Sequence, residues 1–242
     1  MDYQYILVDV KDRIATVTIN RPEYSNAFAR ESYFEIADAM NTLGAREDVG
    51  AIVITGAGKH FSAGGDIKRF KMLVDTGAYL KAEDIEAVSA MPMSIRNCPK
   101  PVIAMINGVA TGAGLSCALA CDFRIVEPSS KMIMAFVNMG LCGDNESIYT
   151  LMRLVGPDKA ELMMMTGDAY KGEQCVKTGL ATILAEDGKL AETTYALAAK
   201  LAAKSSTAHA SQKRLIRKYF YGDMEKFCKR RRYGNSCQFP PA

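Results

Sequence analysis

Three features of the 242-residue chain predict an α/β fold with a largely parallel sheet. Apolar runs with the character of buried strands recur at 50–56, 102–106 and 123–126; the first two lead directly into glycine-rich loops; and helical sequence follows each of them. Strand, glycine loop and helix in repetition imply right-handed crossovers between parallel strands.

Residues 6–20 alternate in two short runs, with Ile14, Thr16, Thr18 and Asn20 on one face and Ala15, Val17 and Ile19 on the other. The break at Lys11-Asp12 makes this a hairpin, and Arg21-Pro22 ends it. Asn26 is a candidate cap for a helix over about 27–43, in which Phe34, Ala37 and Met40 recur at helical spacing. The run 50–56 is bounded by glycines and reads as a strand covered on both faces. It opens into Ser62-Ala63-Gly64-Gly65-Asp66, and a polar helical stretch occupies the eighties. Lys100-Pro101 introduces the second strand, which runs into Asn107-Gly108-Val109-Ala110-Thr111-Gly112-Ala113-Gly114 and a small-residue helix ending near Cys121. After the third strand come a loop, the segment 132–143, and helical sequence from about Ser147 onward. We divide the chain into a core over 1–190 and a C-terminal helical region over 191–242.

Apolar residues make up 49% and charged residues 24%, which are values of a chain that buries a core rather than of a disordered one. The formal charge is +3, with basic residues gathered at 213–218 and 229–232. Cations in such clusters either lie on a solvated helix face or meet phosphates, and the absence of an aromatic-basic RNA motif or helix-turn-helix pattern disfavours nucleic acid. Seven cysteines form no CxxC pair and only two histidines are present, so no zinc site is expected and the thiols read as reduced and mostly buried. No apolar run approaches the ~18 residues of a membrane span and the N-terminus lacks a signal pattern, so a cytoplasmic protein is expected.

Neither glycine loop is a phosphate cradle of the known kinds: no Gly-Lys-Ser/Thr follows, and no GxGxxG is paired with a downstream acid. What such loops can do is bring backbone N–H groups close to a ligand. Two N–H groups aimed at one carbonyl oxygen form an oxyanion hole, worth several kcal/mol to a transition state.

Taken together, Asn26-Ala27, His60-Phe61-Ser62-Ala63-Gly64-Gly65-Asp66-Ile67, Lys100-Pro101-Val102-Ile103-Ala104, the second glycine loop and Cys121-Asp122-Phe123 resemble the crotonase (enoyl-CoA hydratase/isomerase) family in order and spacing over about 5–220. The resemblance implies a ββα spiral with C-terminal helices that build a homotrimer, often paired into a hexamer, and that help complete the coenzyme A site. It implies an acyl-CoA substrate and no separate cofactor. By the same alignment Ala63 and Ala113 are the oxyanion donors, and Ala27, Ala63, Gly64, Gly65, Asp66 and Gly112 line the cleft for CoA and substrate. Family hydratases carry one glutamate after the second loop and another in the following loop, where this chain has Ser116 and Phe136. Two-carboxylate hydration is therefore not expected. Asp144 aligns with an acid that several relatives use, Glu146 is the reserve candidate, and Phe136 is read as an apolar wall that keeps water from the site. The local sequence 135–156 also resembles aryl-CoA dehalogenases, but Ser89 stands near the place of their histidine. The resulting expectation is an enoyl-CoA isomerase with Asp144 as its single acid/base. The alternatives are hydration, hydrolysis or decarboxylation of an unusual acyl-CoA, and a silent homologue that binds acyl-CoA or RNA.

Overall fold

A computed structural model describes residues 2–68, 82–224, 226 and 227. Strands β1 (Ile6–Lys11) and β2 (Ile14–Ile19) form the expected antiparallel hairpin, turning at Asp12 and Arg13, both at positive φ. β2 pairs in parallel with β3 (Ala51–Gly56), and the sheet continues in parallel through β4 (Val102–Ile106), β6 (Phe123–Val126) and β9 (Ile183–Leu184). A smaller sheet takes β5 (Val109–Thr111), β7 (Lys131–Ile133) and β8 (Ala169–Lys171) in that order.

The apolar runs are continuous because both faces of the central strands are covered. On β3, Ile52 and Ile54 join the main core beneath helix α1 (Arg30–Ala45) and helix α2 (Ala82–Asn97). Ala51 and Val53 face the opposite way with Ile14, Ile103 and Ile125, and helix α7 (Leu190–Ala202) closes that side with Leu190, Ala198 and Ala202. Helix α3 (Ala113–Ala120) is buried along its whole length, which explains its small residues. The chain continues through a 3-10 turn at Ala135–Met139, α4 (Asn145–Val155), α5 (Pro157–Thr166), α6 (Gly172–Thr178) and, after α7, α8 (Ser206–Phe220).

Two expectations for the first helix are corrected. Asn26 does not cap it: α1 starts at Arg30, with the hydroxyl of Ser32 accepting the N–H of Ala29 at 3.1 Å. Asn26 is instead buried at φ 57°, its amide donating to the carbonyls of Ala57 and His60 at 2.8 and 2.6 Å while its oxygen accepts the N–H of Arg21. The buried stripe of α1 runs through Tyr33, Ile36, Met40 and Leu43, and Phe34 is exposed under the guanidinium of Arg30. The basic residues of α8 also find partners in the fold, since Lys213 reaches Asp122 at 2.5 Å and the Lys100 carbonyl at 2.9 Å, and Arg217 reaches Asn97 at 2.6 Å. No helix among the described residues is long and apolar enough to cross a membrane, and no group of His, Cys, Asp or Glu among them has metal-site geometry.

Candidate active site

The site is assembled where the first glycine loop meets the start of α3. Ser62 pairs in parallel with Ala110 of β5: its N–H donates to the Val109 carbonyl and its carbonyl accepts from Thr111, each at 3.0 Å. On the other side the loop pairs with Phe28, whose N–H donates to the Gly64 carbonyl at 2.7 Å and whose carbonyl accepts from Asp66 at 3.2 Å. The approach is close enough to exclude side chains. A Cβ on Gly64, which lies at φ 90°, would sit 2.6 Å from the Thr111 carbonyl and 3.2 Å from the Ala113 nitrogen, and one on Gly114 would sit 2.5 Å from the Ser62 carbonyl. The two loops, 48 residues apart from Gly65 to Ala113, thus meet backbone to backbone.

The N–H of Ala63 donates to the Ser25 carbonyl at 2.9 Å, so it is not available to a ligand. This corrects the expectation that Ala63 is an oxyanion donor. In the parallel bridge to Phe28, Gly64 uses its carbonyl and Asp66 its N–H, which leaves the N–H of the intervening Gly65 directed away from Phe28. Among the described residues that N–H has no hydrogen-bond acceptor, and neither has the N–H of Ala113, the first residue of α3. Gly65 and Ala113 therefore each offer a free donor, one from each loop. The alignment was read two residues too early; the signal for the right residue was the Gly64-Gly65 pair, since a glycine at positive φ redirects the peptide that follows it. Ala113 also has the helix dipole behind it.

The other cleft residues are brought together. Ala27 is buried next to Phe28, and its carbonyl accepts from Arg21 at 2.7 Å. Arg21 also pairs with Asp66 at 3.6 Å and lies over the rings of Tyr5 and Tyr24. Lys68 lies over the same Tyr24 ring, 5.5 Å from its centre. Gly112, at φ 53°, ends the second loop, with its N–H on the Ile133 carbonyl and its own carbonyl accepting the Ser116 N–H.

Asp144 caps α4. Its Oδ1 accepts the Ser147 N–H at 2.7 Å, and its Oδ2 accepts the hydroxyl of Ser116, on α3. Ser116 lies three residues after Ala113, about one helical turn along α3, so the carboxylate is held to the same helix that presents the free donor of the second loop. Asp144 is 7% exposed. Phe136 packs at the preceding residue: its ring lies 3.3 Å from where a Cβ on Gly143 would be, with Met134 and Ile148 at 3.4 and 3.6 Å. Glu146 is buried too, in the first turn of α4. Sequence reasoning named Ser116 only as a missing glutamate and gave it no partner.

Buried Cys121 and Cys175 have thiols pushed up to about 12 by desolvation, and burial raises Cys117 as well, so none of the three is a nucleophile near neutral pH. His60 and His209 are half-buried.

Comparisons with known proteins agree with this fold. The profile of the Enoyl-CoA hydratase/isomerase family matches residues 9–230. A trans-2-decenoyl-[acyl-carrier-protein] isomerase of Streptococcus mutans is 32% identical over 217 residues, 89% of this chain and 82% of that protein. A 1,2-epoxyphenylacetyl-CoA isomerase of Escherichia coli is 32% identical over 200 residues, 82% of this chain and 76% of its own. Among solved structures, an enoyl-CoA hydratase from Mycobacterium avium subsp. paratuberculosis superposes with a TM-score of 0.87 at 26% identity, covering 99% of this chain and 92% of that one. Sequence, fold and site together lead to one assignment: the chain belongs to the enoyl-CoA hydratase/isomerase, or crotonase, family.

Proposed function

We propose that the protein moves a carbon–carbon double bond along an enoyl thioester, with Asp144 as its single acid/base and the N–H groups of Gly65 and Ala113 as its oxyanion hole. The thioester oxygen accepts both N–H groups, which acidifies the C2 proton by stabilising the charge that develops on oxygen. Asp144 takes that proton, leaving a dienolate whose negative charge rests on the oxygen. Return of a proton from Asp144 to C4 moves the double bond from C3–C4 to C2–C3, with no net consumption of water or acid. Phe136 supplies an apolar border that keeps water from the dienolate. The rim formed by Arg21 and Lys68 suits the phosphates of a carrier such as coenzyme A.

The observation that carries this reading is that Asp144 is joined through Ser116 to α3, the helix that the second glycine loop opens. Ser116 fills one glutamate position and Phe136 the other, while Asp144 and Glu146 lie two residues apart at a helix start and do not share a face. The names of two relatives, both isomerases of thioester substrates, support the same choice. A crotonyl-CoA hydratase of Syntrophomonas wolfei is 30% identical over 210 residues, so hydration is the reaction to test against.

Incubation with 3-hexenoyl-CoA and separately with crotonyl-CoA, followed by chromatography, separates the two. The expected outcome is conversion of the first to the 2-enoyl ester and little hydration of the second. Asp144→Asn lowers the isomerisation rate by about 10³-fold or more with ester binding changed only slightly. Undiminished turnover by that variant removes Asp144 from the mechanism.

A further inference from the structure

The Ser116 hydroxyl has two acceptors within reach, Oδ2 of Asp144 and the carbonyl of Gly112 at 3.2 Å. It carries one proton and so donates to one of them at a time. Gly112 immediately precedes the oxyanion donor Ala113, and its carbonyl already accepts the Ser116 N–H at 3.0 Å. Ser116 is 3% exposed, so water does not compete for the choice.

We infer that Ser116 is the positioning residue of the acid/base, its hydroxyl donating to Asp144 while that group is a carboxylate and turning to the Gly112 carbonyl when Asp144 holds the substrate's proton. The inference rests on the proposed role of Asp144 and adds to it a reason why one carboxylate serves both half-reactions. In the first, Ser116 and the Ser147 N–H hold the two carboxylate oxygens in fixed directions, so the remaining lone pairs face the substrate. In the second, the neutral acid no longer needs the Ser116 proton, and the hydroxyl finds another acceptor instead of being left unsatisfied in a buried place. The proton taken from C2 is held by Asp144, where it can exchange with solvent, until it is delivered to C4 or returned to C2; Ser116 only rotates.

Among the described residues, few charged groups belong to the elements around this pair. Helix α3 carries no charged side chain and its titratable Cys117 thiol is held protonated by burial. The turn at Ala135–Met139 carries none, the ionisable residues of α5, Asp158, Lys159 and Glu161, are exposed, and Glu146 is the neighbouring titratable group on the same helix as Asp144.

The test compares wild type, Ser116→Ala, Ser116→Thr and Asp144→Asn with 3-hexenoyl-CoA in heavy water, reading kcat, KM and the ratio of deuterium exchange at C2 of recovered substrate to isomerised product. A carboxyl group that has lost its tether returns a solvent-exchanged deuteron to C2 more often than it delivers one to C4. Ser116→Ala should therefore lower kcat about 10–100-fold at nearly constant KM and raise the exchange ratio severalfold. Ser116→Thr, which keeps the hydroxyl, should recover most of the rate. A general loosening of the fold would lower exchange and isomerisation together, so a lost rate with an unchanged ratio, or a wild-type rate in Ser116→Ala, overturns the role of Ser116 and leaves the isomerase reading standing. Full turnover by Asp144→Asn overturns both.

Discussion

Asp144 does two jobs with one side chain. As the cap of α4 it satisfies the Ser147 N–H, a role worth about 1 kcal/mol in helix stability. As a buried carboxylate held to Ser116 of α3 it is also the group we propose for proton transfer. The cap explains its orientation, and the contact with Ser116 explains why α3 and α4 meet at this point. Glu146 lacks that second relation: two positions further on, it belongs to a different face of the helix, where a first-turn acid complements the dipole. Glu146→Gln should accordingly keep the isomerisation rate within about fivefold, even though replacing a buried charged group costs about 1–3 kcal/mol of stability. A steady-state assay beside a thermal melt checks both numbers; a loss as deep as that of Asp144→Asn would move the acid/base to Glu146. At this scale the sequence was informative about residue types and less so about directions. The resemblance supplies Asp144, Phe136 and Ala113 as candidates by position. The shift from Ala63 to Gly65 was not legible, because which peptide N–H is free depends on the Ser25 carbonyl, 38 residues earlier, and on the pairing with Phe28.

Among the elements, α3 is the one on which the site turns. It starts at a free N–H, holds Ser116 one turn later, and is small-residued throughout because strands and helices press on every side of it. Its closeness to the first loop depends on Gly114, where a Cβ would meet the Ser62 carbonyl at 2.5 Å and the Ser62 Cβ at 2.7 Å. Backbone cannot yield as a side-chain tip can, so Gly114→Ala must displace the start of α3 from the loop. The expected result is a loss of about 10²-fold in turnover, since a 1 Å misplacement of reacting groups costs that much, with a lowered melting temperature. A variant with wild-type kcat would mean the two loops tolerate separation. The glycine-rich character of this junction was plain in the sequence, and so were β4 and β6, whose ends match the expected ones. The start of α1 was misjudged because Asn26 looks like a cap in isolation, while its carboxamide is engaged by three backbone groups from 5 to 34 residues away.

Over the whole molecule, the large parallel sheet acts as a jig. β3 and β4 are neighbours, so the loops leaving their ends arrive side by side, and the side chains of Asn26 and Asn107 tie the returning chain to the end of β3. Burial on both faces makes these strands apolar without interruption, which is why the sheet was readable from composition alone. The partners of α8 were not, because Lys213 and Arg217 look like solvated cations until the fold brings Asp122 and Asn97 to them. The claim on which everything else depends is that this jig points two peptide N–H groups at one thioester oxygen. Infrared difference spectroscopy of bound crotonyl-CoA carrying 13C at the thioester carbon tests it directly. Two converging N–H donors should move the carbonyl stretch to lower frequency on binding to wild type, and the displacement should shrink in Gly114→Ala. A carbonyl band unchanged from its position in water would contradict the account.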